Sequence, residues 1–73
     1  SRKEADILFY LARHRGRTVP RDEVIDAVWG YPAASAARAV DFHVFHLRRK
    51  LERDPDSPRH ILTRHGLGYE LVE

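Results

Sequence analysis

Residues 38–52 read Arg38-Ala39-Val40-Asp41-Phe42-His43-Val44-Phe45-His46-Leu47-Arg48-Arg49-Lys50-Leu51-Glu52. On an α-helix, Val40, Val44, Leu47 and Leu51 recur at the spacing of one buried stripe. A turn of about 100° per residue carries Arg38, Phe42, Phe45, His46, Arg49 and Arg53 to the opposite, solvent-facing side. A helix anchored by one face, with arginine, histidine and aromatic side chains on the other, has the means to read a nucleic-acid groove.

Charge is distributed unevenly around this segment. The whole chain carries a formal net charge of only +2. Residues 1–34 hold six Lys/Arg against five Asp/Glu, residues 35–53 five against two, and residues 54–73 two against four. The basic excess therefore sits on the long amphipathic segment. Charge alone leaves open a merely solvated helix face.

Upstream, Ser1-Arg2-Lys3-Glu4 has the form of a capping box, in which a Ser hydroxyl accepts from the backbone three residues on. Ile7, Leu8 and Leu11, with Ala12 beside them, supply a helical stripe, and the helix is predicted over about 2–14. Phe9 lies off that stripe. Gly16 follows as a stop, and Thr18-Val19 reads as a short extended link. Pro20 opens a second helix, predicted over 21–29, with Asp22 and Glu23 near its positive dipole end. Its apolar face is Val24, Ile25 and Val28, with Trp29 at the end and Gly30 as terminator. Ser35 is the expected N-cap of the long third helix, predicted over 35–53.

Downstream, Asp54-Pro55-Asp56-Ser57-Pro58 breaks the helix, since each Pro disfavours helix in the residue before it. Two short apolar runs follow, Ile61-Leu62-Thr63 and Tyr69-Glu70-Leu71-Val72, around Arg64-His65-Gly66-Leu67-Gly68. They read as a β-hairpin over about 60–72 with a glycine-containing turn. The predicted class is α+β, mainly α: a winged helix-turn-helix of three helices followed by a C-terminal hairpin wing, forming one domain over 1–73.

With 73 residues, the core is small. No cysteine occurs, so disulfides and thiol chemistry are absent from the sequence, a composition compatible with a reducing cytoplasm. No apolar run approaches the ~20 residues needed to span a bilayer, so no membrane role is expected. The chain begins with Ser and contains no Met, and an excised portion of a longer protein is the expectation.

Four segments together resemble the DNA-binding effector domain of OmpR/PhoB-type response regulators. They are Glu23-Val24-Ile25-Asp26-Ala27-Val28-Trp29-Gly30, Arg38-Ala39-Val40-Asp41-Phe42-His43-Val44, Leu47-Arg48-Arg49-Lys50-Leu51-Glu52 and Ile61-Leu62-Thr63-Arg64-His65-Gly66-Leu67-Gly68-Tyr69. The resemblance covers essentially the whole chain. It implies sequence-specific binding to double-stranded promoter DNA and regulation of transcription in the cytoplasm. In that family a phosphorylatable receiver and a small N-terminal β-sheet precede this domain, and neither is present in these residues. The resemblance further implies tandem homodimers on DNA in the full-length protein, and contact of loop 31–37 with RNA polymerase in some members.

By the same resemblance, the third helix enters the major groove and the hairpin meets the minor groove. The implied DNA-binding set is Trp29, Arg38, Ala39, Phe42, His43, Phe45, His46, Arg48, Arg49, Lys50, Thr63, Arg64 and His65. Arg38 corresponds to a backbone-contacting Arg. Arg48, Arg49 and Lys50 end the helix and fan around it. Phe42, central on the outward face, suits a thymine methyl; a protein-contact patch is the competing reading. His43 flanks the core, where a packed His is an equal reading. Phe45 and His46 stand where family members often carry two Arg. His65 stands where many have an Arg at the wing tip, with Arg64 before it; alternation along a strand turns those two to opposite faces. Thr63 is a phosphate donor, and Trp29 packs under the loop with its indole N–H available.

His43 and His46 lack a third ligand at matching spacing, so no metal or other cofactor is expected. No nucleophile–base arrangement, paired carboxylates or phosphate-cradling loop points to an enzyme or a small-molecule substrate. The alternative function is a winged-helix module that binds protein, with weak or no DNA binding. The departures at Phe45, His46 and His65 favour it; the basic helix opposes it.

Overall fold

A computed structural model describes residues 1–32 and 35–73. Its elements are α1 (Arg2–Arg13), α2 (Arg21–Trp29), α3 (Ala36–Leu51), β1 (Ile61–Arg64) and β2 (Gly68–Leu71). This is the winged helix-turn-helix order read from the sequence.

The local signals act largely as anticipated. The Glu4 amide donates to Ser1 Oγ at 3.3 Å, so the first half of the capping box forms. Glu4 divides its carboxylate: one oxygen lies 3.9 Å from the Ser1 amino group, an ion pair too long for a hydrogen bond, and the other accepts from Lys50 on α3 at 2.7 Å. Gly30 ends α2 in the left-handed region, with its amide donating to the Asp26 carbonyl. Ser35 departs from expectation. It precedes α3 with helical dihedrals and its hydroxyl caps nothing among the described residues.

The core gathers Ile7 and Leu11 from α1, Val24 and Ile25 from α2, and Ala36, Val40, Val44 and Leu47 from α3. Ile61 and Tyr69 from the hairpin close it. Two positions of the predicted third helix, Leu51 on its buried stripe and Arg53 on its outward side, correct the sequence reading. Leu51 is exposed, because α3 runs one turn beyond its last core layer at Leu47. Arg53 is not on the helix, which ends at Leu51 as the chain bends away. Between them Glu52, a carboxylate, is buried.

The hairpin is antiparallel, with Ile61 opposite Leu71 and Arg64 opposite Gly68. The link after α1 takes part in it. Val19 and Tyr69 exchange both backbone hydrogen bonds, at 2.7 and 3.0 Å. The Gly16 amide also donates to the Leu71 carbonyl at 2.9 Å. Thr18-Val19 is therefore extended, as read, but it serves as a third backbone rail for the wing.

Candidate nucleic-acid interface

Helix α3 is held on both flanks. On the wing side, Asp41 accepts from the Tyr69 hydroxyl at 2.6 Å and from Arg21 at 2.7 Å, joining α2, α3 and β2. One turn before the end of α3, Arg48 donates through Nε to the Ile61 carbonyl at 3.0 Å and through a terminal nitrogen to Thr63 Oγ1 at 2.8 Å. Its guanidinium lies 5.6 Å from the Tyr69 ring centre. On the other flank, Lys50 pairs with Glu4, and His43 packs against the Trp29 ring.

The face left outward carries Arg38, Phe42, Phe45 and Arg49, all exposed, with half-buried His46 beside them. Among the described residues neither Arg38 nor Arg49 has a carboxylate partner. Arg49 lies over the Phe45 ring, 5.7 Å from its centre. Phe42 and Phe45 are 59% and 52% exposed and, unlike the comparably exposed Phe9, lie together as one apolar patch against His46. His46 stands edge-on to both rings.

The wing adds a second set of groups next to this face. Arg64 does not swing free: Nε donates to Glu70 across the hairpin at 2.9 Å, and Glu70 also accepts from Thr18. Those bonds hold the Glu70 carboxyl below its ordinary range, the Arg64 bond foremost. His65 lies in the turn, past the end of β1, so strand alternation does not govern its direction. It is exposed at the tip. Thr63 is exposed and its hydroxyl oxygen receives the Arg48 hydrogen bond, which leaves its own proton for another acceptor.

The base of the wing depends on Glu52. Its carboxylate accepts from the backbone amides of Arg59, His60 and Ile61 at 2.8 to 3.2 Å. Burial pushes this acid upward, and the three amide donors outweigh that, so its pKa is lowered. The C-terminal end of α3 and the strand that begins the wing are thus joined through a second side chain besides Arg48.

The structure sorts the sequence-derived candidates. Arg38, Phe42, Phe45, His46 and Arg49 share the outward face, and Thr63, Arg64 and His65 lie on the adjoining wing. Arg48 bridges the two. Ala39 and His43 are half-buried, His43 beside the Trp29 ring, and His43 Nδ1 is buried without a partner among the described residues. Trp29 packs under the Lys3 ammonium, 4.9 Å from its ring centre. Lys50, grouped with Arg48 and Arg49 by sequence adjacency, is turned toward α1 by its Glu4 pair. Arg21, Asp41, Glu52 and Glu70 were missed. Their partners lie on other elements, and only the carboxylate in a basic helix, Asp41, gave any local signal. Loop 31–37 includes positions 33 and 34, which lie outside the described residues.

A family model described as "Transcriptional regulatory protein, C terminal" matches residues 1–71. The chain belongs to that family. It is an effector domain of the OmpR/PhoB type, the DNA-binding module of transcriptional regulators. The domain is 48% identical over 71 residues to the alkaline phosphatase synthesis transcriptional regulatory protein PhoP of Bacillus subtilis, covering 97% of this chain and 30% of PhoP. Its fold is similar to that of the response regulator DrrB, a Thermotoga maritima OmpR/PhoB homologue: TM-score 0.88, 34% identity, covering 100% of this chain and 33% of DrrB. It is also similar to the Klebsiella pneumoniae RstA DNA-binding domain solved in complex with the RstA box, with TM-score 0.87 and 30% identity, covering 99% of this chain and 71% of that one. The effector domain thus spans about a third of the full-length relatives. Among the described residues, no helix is long and apolar enough to cross a membrane, and no three His, Asp or Glu gather as a metal site.

Proposed function

We propose that this domain binds promoter DNA sequence-specifically, with α3 in the major groove and the β1–β2 hairpin against the neighbouring minor groove. The observation that carries this reading is the junction at Arg48. It holds the exposed face of α3 and the wing in one fixed relation through Ile61 and Thr63. A two-part surface of that kind can follow a duplex from one groove to the next. Arg38 and Arg49, without acidic partners among the described residues, meet phosphates; His65 at the tip approaches a narrow minor groove. Lys50 stays with Glu4 and is not assigned a DNA contact, and Trp29, Ala39 and His43 act from behind by supporting α3. The RstA domain, solved in complex with the RstA box, supports DNA binding by analogy.

The domain's role is regulatory and not enzymatic, and it is exerted in the cytoplasm. In the whole protein a phosphorylatable receiver controls it, and tandem copies occupy adjacent half-sites. Contact with RNA polymerase through loop 31–37 is a further element of this proposal.

Selection of duplexes from a random library with this chain, at low and moderate salt, tests the reading. The expected result is enrichment of a short motif whose affinity falls with salt, with a log–log slope near −0.9 per phosphate contacted. No enrichment by a folded sample, at any salt, overturns it in favour of a protein-binding winged helix.

A further inference from the structure

The exposed rings of α3 form one cluster. Phe42 and His46 have centroids 4.4 Å apart at an interplanar angle of 68°, and Phe45 and His46 have centroids 5.3 Å apart at 86°. Both phenylalanines therefore rest edge-to-face on the same imidazole, a favoured arrangement for aromatic pairs. The imidazole braces two rings that stand more than half exposed. This cluster occupies the middle of the outward face, with Arg38 and Arg49 around it, and the only carboxylate on α3, Asp41, is held by Tyr69 and Arg21.

Chemistry narrows what such a cluster recognises. Phenylalanine neither donates nor accepts a hydrogen bond, so it gains nothing from guanine O6 or N7, adenine N6 or cytosine N4. The one apolar group that an unmodified duplex presents in the major groove is the C5-methyl of thymine. The two rings lie against one imidazole, so their centres are under about 10 Å apart. Successive base pairs rise about 3.4 Å, which places the rings within reach of methyls at most about three steps apart. Between them His46 offers an N–H to a purine N7.

We propose, resting on the DNA-binding reading above, that Phe42, Phe45 and His46 act together as a methyl reader. It selects sites in which two thymine C5-methyls lie within three base steps of each other. Sequence preference is then carried mainly by apolar contact at the centre of α3, and arginines supply phosphate affinity around it.

The test compares the duplex enriched by this chain with the same duplex carrying uracil in place of thymine, one position at a time. Uracil preserves pairing and every hydrogen-bonding group and removes only the methyl. The expected result is about a fourfold weakening at each of two nearby positions, the effect of losing one buried methyl. The variants Phe42→Ala and Phe45→Ala should each abolish the uracil penalty at one position, with folding checked by circular dichroism. Arg49→Ala should weaken both duplexes equally and keep the penalty. Equal affinity for thymine and uracil duplexes at every position overturns the methyl reader while leaving DNA binding intact. Failure to bind any duplex overturns the DNA-binding reading and this inference with it.

Discussion

Arg48 on α3 donates a hydrogen bond to Thr63 Oγ1 on β1 at 2.8 Å, fifteen residues along the chain. The bond is made across the junction between the helix and the wing, and a second one from Arg48 Nε to the Ile61 carbonyl fixes the guanidinium plane. A lysine could not make both in that forked geometry. Arg48→Ala and Thr63→Val are expected to be non-additive in stability, with a coupling of about 0.5–1.5 kcal/mol. Urea denaturation of the two single variants and the double variant measures it; strict additivity removes the junction from the account. In DNA binding, Arg48→Ala should weaken affinity for all sequences alike, because it loosens the wing without touching the outward face of α3.

Glu52 is the more severe position. Removing its carboxylate leaves three buried or half-buried backbone amides without an acceptor. Glu52→Ala should lose about 3 kcal/mol or more, and Glu52→Gln, which keeps one acceptor oxygen, about half as much. Thermal unfolding followed by circular dichroism distinguishes the two. A surface glutamate such as Glu73, replaced by Ala, should change stability by less than about 0.5 kcal/mol.

The two adjacent cations at the end of α3 should behave differently. Arg49 stands outward over Phe45, and Lys50 is paired with Glu4. Arg49→Ala should reduce the salt dependence of DNA binding by about one unit of log–log slope. Lys50→Ala should leave that slope unchanged and lower stability by about 1 kcal/mol at most, as expected of a partly exposed pair. Titration of a fluorescent duplex at four salt concentrations separates them, and equal slopes for both variants would place Lys50 on the DNA.

Stability should fall at both ends of the pH range for identifiable reasons. Arg17, and then Tyr10, hold the Glu23 carboxyl down from 4.5 to about 2. Its contribution is present in full above the unfolded value and is lost as pH falls from 4.5 through about 2. Burial, and then the hydrogen bond to Asp41, push the Tyr69 phenol from 10.0 up to about 12. That contribution is present in full below pH 10 and is lost as pH rises through 12. Glu23→Gln should flatten the acid limb of a stability–pH curve, and Tyr69→Phe the alkaline limb.

Two wing glycines provide a contrast. At Gly68, with φ +150°, an added Cβ would lie 2.1 Å from the Val19 carbonyl oxygen, in the backbone bridge that ties the wing to the link after α1. Gly68→Ala should lose upwards of about 3 kcal/mol or prevent folding. At Gly66, with φ +77°, nothing described lies within 4 Å of the added carbon. Gly66→Ala should lose only the backbone preference, about 1–2 kcal/mol. Similar melting temperatures for the two variants would contradict the bridge.

The element order was legible because each helix and strand is written in local spacing. Val40, Val44 and Leu47 recur with the helical period, Gly30 and the Pro55–Pro58 region mark stops, and the apolar runs around Gly66 and Gly68 pair as a hairpin. The outward set Arg38, Phe42, Phe45 and Arg49 followed from the same geometry of one helix. What local spacing could not convey is where a helix outruns its core, which left Leu51 exposed and put Glu52 inside.

Partner choice among the charges belonged to the folded arrangement alone. Arg48, Arg49 and Lys50 are three neighbouring cations in the chain, yet one is bonded to the wing, one faces outward and one is paired with α1. Periodicity reports which side of its own helix a residue occupies. It holds no information about which carboxylate, carbonyl or ring another element brings to that side, and Glu4, 46 residues before Lys50, arrives there only when α1 packs on α3. The sequence thus settled the order of the elements and which face of α3 is turned outward. Packing between elements settled which of its polar groups are spent within the domain and which remain for a partner.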